Sequence, residues 1–398
     1  MNSIGIYIHI PFCKQKCLYC DFLSFPEGRE QQALYFDALK KEIEISAGEC
    51  EGYEVTSVFI GGGTPTSVEP SYIADIMGVL KRHYNLAENA EITIECNPGT
   101  ADYKALRLYR DAGINRISIG LQSAKDNELL ILGRIHNRKQ FEECYKNARL
   151  AGFDNVNVDL MSALPGQTLR DWESNLEYVC SLEPSPEHIS AYSLIIEEGT
   201  PFYEMYGENS GIRREHLLPL PDEDTEREMY HRTKEILEKN GYYRYEISNY
   251  SKPDRECRHN VRYWNGGDYI GFGIGAASLM KGVRYRNISE LSNYVEAMNT
   301  SISKKIDIFD IMKAVRIEVQ PLSKEEQMEE FMFLGLRMVR GVSFTEFKRR
   351  FSCEISEVFG EVIAELRGEE LLEVTEDGIH LTDYGLDLSN YCMAKFLL

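Results

Sequence analysis

The chain repeats one unit up to about residue 210: a short apolar stretch, a loop, and a longer amphipathic segment. Alternating strands and helices predict a parallel sheet joined by right-handed crossovers. Because a closed barrel of this kind needs about eight units, the six units predict a partial (β/α)6 barrel, an α/β fold. The predicted strands are residues 4–10, 57–60, 91–95, 116–120, 155–160 and 188–193. The predicted helices are residues 31–45, 72–82, 103–112, 138–151 and 169–182.

The loop after the first predicted strand carries Cys13, Cys17 and Cys20, separated by three and two residues. Thiolates this close together suit one compact inorganic centre. A disulfide fits poorly, because the number is odd and the spacings are tight. A structural zinc site needs four ligands, and no fourth Cys or His follows nearby. The spacing therefore favours a four-iron cluster with one iron left open, with zinc or free thiols as the alternatives.

Composition limits the possible classes of function. With 398 residues the chain is long enough for two or three domains, and it has no apolar run of about 18 residues that could span a membrane. No basic region followed by an apolar core stands near the N-terminus, so we expect no export signal. Ten cysteines in such a chain predict a reducing, cytoplasmic location. The formal charge of −20 argues against binding to nucleic acid.

Polar residues and glycines stand at the carboxyl ends of the predicted strands, where barrel enzymes build their sites. They are Gly62, Gly63 and Thr64 after the second strand, Glu95 at the third, Gln122 and later Arg134 after the fourth, Asp159 at the fifth and Ser193 at the sixth. Carboxylates there can accept hydrogen bonds from ribose hydroxyls or an ammonium, and a guanidinium suits a carboxylate. Singly, each has a simpler interpretation: a turn for the glycines, a helix cap for Glu95, and a buried hydrogen-bonding group for Gln122 or Asp159.

Residues 257–264 form a second distinctive stretch, because Cys257, His259, Tyr263 and Trp264 lie within eight positions. A His or Cys side chain can ligate haem iron, and Tyr and Trp rings can cover a porphyrin face. On spacing alone, the favoured interpretation is that the histidine and the tryptophan pack against a loop.

From about residue 325 the pattern changes to helices followed by a hairpin. The predicted helices are residues 326–340, 343–351, 355–365 and 384–398, and the predicted hairpin strands are 371–374 and 378–381. Three helices and a hairpin predict a small winged-helix-like α+β domain, whose acidic surroundings argue against DNA. The predicted domains are residues 1–210 (barrel), 211–320 (connector that packs on the barrel and carries the 257–264 stretch) and 321–398 (winged-helix-like domain).

The sequence Tyr-x-His-Ile-Pro-Phe-Cys leads into the three cysteines, and the aromatic Tyr19 stands just before the third. This signature resembles that of the radical S-adenosyl-L-methionine (SAM) superfamily, in its coproporphyrinogen-oxidase-like branch. The resemblance implies that Cys13, Cys17 and Cys20 bind three irons of a [4Fe-4S] cluster and that the fourth iron binds SAM. Reduction of SAM would then yield a 5′-deoxyadenosyl radical, chemistry that the cofactors supply. The residues that the resemblance assigns to SAM are Tyr7, Gly62, Gly63, Thr64, Glu95, Gln122, Arg134, Asp159 and Ser193.

Two departures separate the chain from the oxygen-independent coproporphyrinogen III oxidases of this branch. Those enzymes carry a further cysteine where this chain has Phe22. They also have a sizeable N-terminal extension, whereas only twelve residues precede Cys13 here. Both departures weaken the prediction of an oxidase, which would decarboxylate propionate side chains to vinyl groups.

The stretch His259-Asn260-x-x-Tyr263-Trp264 is instead similar to a motif of the related haem chaperones. This resemblance implies that the chain binds haem and passes it to apo-haemoproteins. It assigns haem contacts to His259, Asn260, Tyr263 and Trp264, with Cys257 as a further candidate ligand. The alternatives are the oxidase and a cluster-bearing regulator that binds nucleic acid, which the charge disfavours. No transmembrane segment is predicted, and docking at a membrane surface stays open.

Overall fold

A computed structural model of the chain describes residues 2–26, 28–207, 217–304 and 308–398. The predicted boundary at residue 210 lies outside these ranges, and the division into three domains stays a prediction. None of the described helices is long and apolar enough to cross a bilayer.

Six parallel strands with helices between them form the N-terminal barrel, which confirms the predicted partial (β/α)6 fold. The strands are β1 (Asn2–Ile10), β2 (Tyr53–Gly62), β3 (Leu86–Cys96), β4 (Arg116–Gln122), β5 (Val156–Ser162) and β6 (His188–Ser193). The helices are α1 (Arg29–Ile45), α2 (Pro70–His83), α3 (Tyr103–Asp111), α4 (Asp126–Ile131), α5 (Arg138–Leu150) and α6 (Leu169–Cys180). The five predicted helices are therefore present, and the short α4 is an addition.

The two faces of the barrel sheet differ in chemistry, because successive residues of a strand point to opposite sides. On β1, Ile6 and Ile8 are fully buried in the apolar core that the sheet forms with its helices. Tyr7 lies on the opposite, interior face, and so do the buried polar residues Ser118 and Asn157. The barrel interior is therefore polar and offers hydrogen-bonding groups to a ligand.

Six further strands, none of them predicted from the sequence pattern, extend the sheet on both sides. They are β7 (Tyr243–Arg244), β8 (Asn249–Ser251), β9 (Tyr269–Phe272), β10 (Ala277–Met280), β11 (Val283–Asn287) and β12 (Arg316–Pro321). Strand β8 pairs antiparallel with β6, and β9 pairs parallel with β1. Each is at most six residues long, which is too short for hydrophobic periodicity to reveal. The intervening helices are α7 (Pro201–Tyr206), α8 (Glu223–Lys239), α9 (Arg258–Trp264), α10 (Leu291–Lys304) and α11 (Ile308–Val315).

One buried carboxylate joins these additional strands to the barrel. Glu42 of α1 accepts hydrogen bonds from the Gly273 backbone N–H at 2.8 Å, from Asn287 Nδ2 at 2.6 Å and from the Tyr294 hydroxyl at 2.6 Å. Burial raises the pKa of Glu42 to about 7, and the three donors oppose that shift. The region predicted as a connector is thus fastened to the first helix of the barrel.

The C-terminal module has its own aromatic core around Phe331, Phe347 and Phe359. Its helices are α12 (Lys324–Gly335), α13 (Phe344–Phe351), α14 (Ile355–Gly368), α15 (Asp383–Asp387) and α16 (Ser389–Ala394). Its strands are β13 (Val342–Ser343), β14 (Leu372–Val374) and β15 (Gly378–Leu381), in the order β13-β15-β14. The three helices α12, α13 and α14 and the small antiparallel sheet confirm the predicted winged-helix-like module. The predicted closing helix is wrong in detail, because it consists of the two short helices α15 and α16.

Candidate cofactor-binding site

A cavity of about 460 Å³ opens at the carboxyl ends of the barrel strands. It has the size of a typical small-molecule site. The three cysteines and eight of the nine residues predicted for SAM line it: Cys13, Cys17, Cys20, Gly62, Gly63, Thr64, Glu95, Gln122, Arg134, Asp159 and Ser193. Side chains that are up to 180 residues apart in sequence therefore meet in one place.

The three cysteines are free thiols on the loop that follows β1. Cys13 Sγ lies 3.3 Å from Thr64 Oγ1, and the Cys20 N–H donates to the Cys17 carbonyl oxygen at 3.3 Å. Burial raises the pKa of the Cys20 thiol to about 11, so a bound cation is needed to hold it as a thiolate at neutral pH. In the described part of the chain, no three His, Cys, Asp or Glu side chains converge on a position for one metal ion. Three thiols spread around a common cavity fit a cubane, in which each cysteine binds a different iron.

Arg134 is a buried cation beside the cysteines, and Asn97, which was not predicted as a site residue, orients it. Its Nη2 donates to Asn97 Oδ1 at 2.7 Å and to the Gly120 carbonyl oxygen at 2.8 Å. Asn97 Nδ2 in turn donates to Thr64 Oγ1 at 2.8 Å. Asn97 directly follows β3, two positions after the predicted Glu95, and was not among the predicted site residues. Arg134 Nη1 makes only longer contacts, which leaves it available to a ligand.

Two carboxyl groups, Glu95 and Asp159, face the cavity, and the buried Arg116 is a nearby cation that opposes the rise of both pKa values. Burial, and then repulsion from Asp159, raises the pKa of Glu95 to about 8. Burial also raises the pKa of Asp159, although Ser118 and Asn157 donate hydrogen bonds to it at 2.9 and 2.7 Å. Asp159 lies within β5 rather than at its end, because the strand continues to Ser162. A ligand with an ammonium or sulfonium group would compensate this buried acidic pair, which fits SAM.

Packing within the protein requires glycine at positions 62 and 63, at the end of β2. Gly62 has φ of +109°, and a Cβ there would lie 2.5 Å from the His9 ring. A Cβ on Gly63 would lie 2.8 Å from the Phe12 carbonyl oxygen. Both positions therefore exclude any larger residue, and the cysteine loop can pack directly on this backbone.

Three of the residues predicted for SAM have a backbone conformation or side-chain contacts that the sequence did not predict. Gln122 adopts φ of +66° at an irregularity in the β4–β5 pairing, and its side chain lines the cavity. The Ser193 hydroxyl donates to Glu226 of α8. Tyr7 is the predicted residue that does not line the cavity. Its hydroxyl hydrogen-bonds His9 Nδ1 at 3.0 Å, and His9 Nε2 hydrogen-bonds the Leu23 carbonyl oxygen at 2.8 Å.

The stretch 257–264 lies at the opposite end of the barrel, where α9 covers the amino ends of the strands. His259 is only 1% exposed: its Nδ1 lies 3.0 Å from Ser57 Oγ, its Nε2 lies 3.2 Å from the Tyr263 hydroxyl, and its ring stacks on Phe59. Ser57 and Gly62 are five positions apart on β2, which corresponds to about 16 Å along a strand. The structure therefore separates the residues predicted for haem from the three cysteines and from the cavity-lining residues predicted for SAM. Tyr7 is the exception, because its ring stacks on Phe59, which in turn stacks on His259.

Burial dominates the chemistry of the α9 residues. It lowers the pKa of His259 to about 3, so its imidazole is neutral. It raises the pKa of Cys257 to about 12, and the Cys257 thiol contacts Glu91 Oε1 at 3.7 Å. Asn260 is half-buried. Trp264, at the end of α9, lines a second cavity against the C-terminal module.

Comparisons with known proteins agree with this architecture. The family model described as the radical SAM superfamily matches residues 7–179, and that described as the HemN C-terminal domain matches residues 322–388. The heme chaperone HemW of Lactococcus lactis is 35% identical over 98% of this chain and 97% of its own length. The heme chaperone HemW of Bacillus subtilis is 33% identical over 98% of both chains.

A solved structure shares the fold of the whole chain. Coproporphyrinogen III oxidase (HemN) from Escherichia coli superposes with a TM-score of 0.80 at 23% identity, covering 100% of this chain and 90% of its own. These matches confirm the resemblance seen around the cysteines and at residues 259–264. The chain belongs to the HemW family of the radical SAM superfamily.

Proposed function

We propose that the chain is a haem chaperone that binds a [4Fe-4S] cluster, SAM and haem and passes haem to apo-haemoproteins. The observation that carries this proposal is the similarity, over nearly the whole chain, to proteins described as heme chaperones. The ten cysteines support a reducing, cytoplasmic location. The net charge of −20 supports a partner other than nucleic acid.

Cys13, Cys17 and Cys20 would hold three irons of the cluster, which supplies an open iron for SAM and an electron when reduced. Glu95 and Asp159 would hold the positively charged part and the hydroxyl groups of SAM, because both carboxyls are buried in the cavity. Arg134 would bind the SAM carboxylate through Nη1, whose contacts to Cys17 Sγ and to the Tyr19 hydroxyl are 3.4 and 3.5 Å long. Asn97 would keep the guanidinium in place.

The assignment of His259 as a haem ligand stays a prediction. Both of its ring nitrogens have protein partners and the residue is 1% exposed, so direct coordination requires α9 to leave the barrel. Haem titration into wild type and a His259→Ala variant tests the assignment, with the Soret band as the readout. If the variant binds haem more weakly than wild type, the result supports ligation by His259. Equal affinities of the two proteins remove His259 from the haem site.

The proposed activity itself is tested by haem transfer. Haem-loaded protein is mixed with apomyoglobin, and the appearance of the myoglobin Soret spectrum is followed against free haem at the same concentration. We expect transfer that requires direct contact, so the rate should rise with the concentration of the acceptor. A wild-type protein that binds no haem would contradict the proposal.

The alternative is an oxygen-independent coproporphyrinogen III oxidase. Phe22, which stands where those oxidases carry a further cysteine, is 61% exposed at the cavity and offers no thiol. An anaerobic assay with coproporphyrinogen III, SAM and a strong reductant separates the two functions. Robust formation of protoporphyrinogen would overturn the chaperone proposal.

A further inference from the structure

Two cysteines that are not assigned to the cluster lie in contact with each other. Cys96, the last residue of β3, and Cys144 of α5 are 48 positions apart in sequence, yet their sulfur atoms are 3.6 Å apart. Both are free thiols, and both residues are only 2% exposed. The proposed function uses neither of them.

The Cys144 side of this pair borders a cavity of about 660 Å³ on the outside of the barrel, which we call the outer cavity. Its walls come from α2, α3, α5 and the loops before α2 and α3. The charges that line it are mixed, with Glu69, Asp102 and Glu143 on one side of the balance and Lys104 on the other. A cavity of this volume admits a small peptide-like molecule. The thiol pair is therefore within reach of a reagent that enters from solvent.

Hydrogen bonding within the pair favours the loss of one proton. The hydrogen bond with the Cys144 thiol lowers the pKa of Cys96 against the cost of burial, and the Thr66 and Thr100 hydroxyls add to the lowering. The same hydrogen bond raises the pKa of Cys144. Two sulfurs that share one proton in this way supply the thiolate that thiol–disulfide exchange requires.

We propose that Cys96 and Cys144 form an oxidative modification site, which closes to a disulfide when a low-molecular-weight disulfide of the glutathione class oxidises it. The two sulfurs approach from 3.6 Å to about 2.05 Å as the bond forms. In a reducing compartment such a bond is transient and follows the redox state of the surroundings.

The exchange takes two steps. The Cys144 thiolate, formed as its proton passes to Cys96, attacks one sulfur of glutathione disulfide in the outer cavity, so that a mixed disulfide forms and the first glutathione leaves as a thiolate. Cys96 then loses its proton and attacks the Cys144 sulfur, which forms the Cys96–Cys144 bond and expels the second glutathione. The two protein thiols lose two electrons and two protons, and one glutathione disulfide becomes two glutathione thiols.

The pair is placed to act on the cavity predicted for SAM. The consecutive residues Glu95, Cys96 and Asn97 all line that cavity, and Asn97 Oδ1 accepts a hydrogen bond from Arg134 Nη2 at 2.7 Å. Closing the disulfide shifts the end of β3 relative to α5, and the two neighbours of Cys96 shift with it. We therefore expect the disulfide to weaken SAM binding. This consequence rests on the proposed SAM site, whereas the disulfide itself does not.

Peptide mapping tests the disulfide. Reconstituted wild type is equilibrated anaerobically in buffers of reduced and oxidised glutathione, its free thiols are alkylated, and the chain is digested with trypsin. Cleavage after Lys and Arg places Cys96 in residues 83–104 and Cys144 in residues 140–146, and neither peptide contains another cysteine. We expect a linked species of these two peptides that grows with the oxidised fraction and disappears with dithiothreitol. Its absence from wild type in glutathione disulfide alone would overturn the proposal.

Two serine variants test the order of attack and the choice of thiols. Cys96→Ser should trap glutathione on residues 140–146, because the second step is blocked. Cys180→Ser is the control, since Cys180 is half-buried on α6 and lines neither cavity. It should form the linked peptide at the glutathione ratio of wild type, within about twofold. Loss of the linked peptide in Cys180→Ser would overturn direct exchange between the pair and the oxidant.

Saturating SAM tests the coupling, because linkage between two equilibria is reciprocal. If the disulfide weakens SAM binding, bound SAM lowers the ratio [GSH]²/[GSSG] at half-conversion by the same factor, and we expect about fivefold or more. An unchanged ratio with SAM bound would overturn the coupling. If the reconstituted protein binds no SAM, the proposed SAM site fails, whereas the linked peptide still decides the disulfide.

Discussion

Arg134 and Cys17 lie 117 positions apart in sequence, yet the Arg134 Nη1 atom is 3.4 Å from the Cys17 sulfur. The arginine is 9% exposed and is held from behind by Asn97 and Gly120. A fixed positive charge therefore faces the cysteine loop and the cavity beside it. That charge can pair with a ligand carboxylate.

Replacing Arg134 by Met should weaken SAM binding to the reconstituted protein by about tenfold or more, because a charge-assisted hydrogen bond is lost. Affinity is measured by equilibrium dialysis under anaerobic conditions. Arg138→Met is the control, since Arg138 is exposed and pairs with Glu142 on α5. Unchanged affinity in Arg134→Met would remove the arginine from the SAM site.

Replacing Cys13, Cys17 or Cys20 by Ala should abolish the cluster, because a cubane with only two protein thiolates loses an anchoring ligand. Iron and sulfide per chain are measured after anaerobic reconstitution. Cys180→Ala is the control, as Cys180 is half-buried on α6, away from the cavity. Full iron and sulfide content in any of the three loop variants would contradict the assignment.

The raised pKa of Glu95 predicts how stability depends on pH in the ligand-free protein. The pKa is about 8 in the fold, against an ordinary value of 4.5, so the folded state binds the proton more tightly. Stability should therefore fall as pH rises from about 5 to about 8, by at most about 1.4 kcal/mol per pH unit from this group. Urea unfolding of Glu95→Gln should show a flatter profile over that range.

The matched control for Glu95→Gln is Glu143→Gln, which changes an exposed carboxylate on α5. It should keep the slope of wild type. If Glu95→Gln keeps that slope as well, the buried carboxyl does not titrate in this range.

Removing Glu42 should destabilise the fold. Glu42→Ala leaves the Gly273 N–H and the Asn287 and Tyr294 side chains without their acceptor, so we expect the free energy of unfolding to fall by about 3 kcal/mol. Urea denaturation measures this change. Glu30→Ala, an exposed position on the same helix, should change stability by less than about 0.5 kcal/mol. Similar losses in the two variants would show that the buried carboxylate does not join α1 to the later strands.

The barrel and most of the cavity could be predicted because one geometric rule relates them. Parallel strands bring their carboxyl ends to the same edge, so Cys13, Glu95 and Ser193 meet once the strands are correctly assigned. The strand assignments needed only local apolar runs such as residues 4–10. A correct local pattern was therefore enough to place residues that are distant in sequence.

The residues that escaped prediction depend on contacts that no local pattern encodes. Asn97 acquires its role from Arg134, which lies 37 positions later, and His9 from Leu23 in the cysteine loop. The short strands β7–β12 depend on partners at the edges of a sheet that is already formed. The setting of His259 follows from Ser57, 202 positions away, so its burial could not be read from the motif.

The position of α9 across the amino ends of the strands determines which face of the barrel each binding partner would approach. The oxygen-sensitive metal centre and its electron donor would use one face of the barrel, and cargo at Trp264 would use the other. An acceptor protein could then take haem on one face while the iron–sulfur cluster receives electrons on the other. The acceptor and the electron donor would therefore not compete for the same surface.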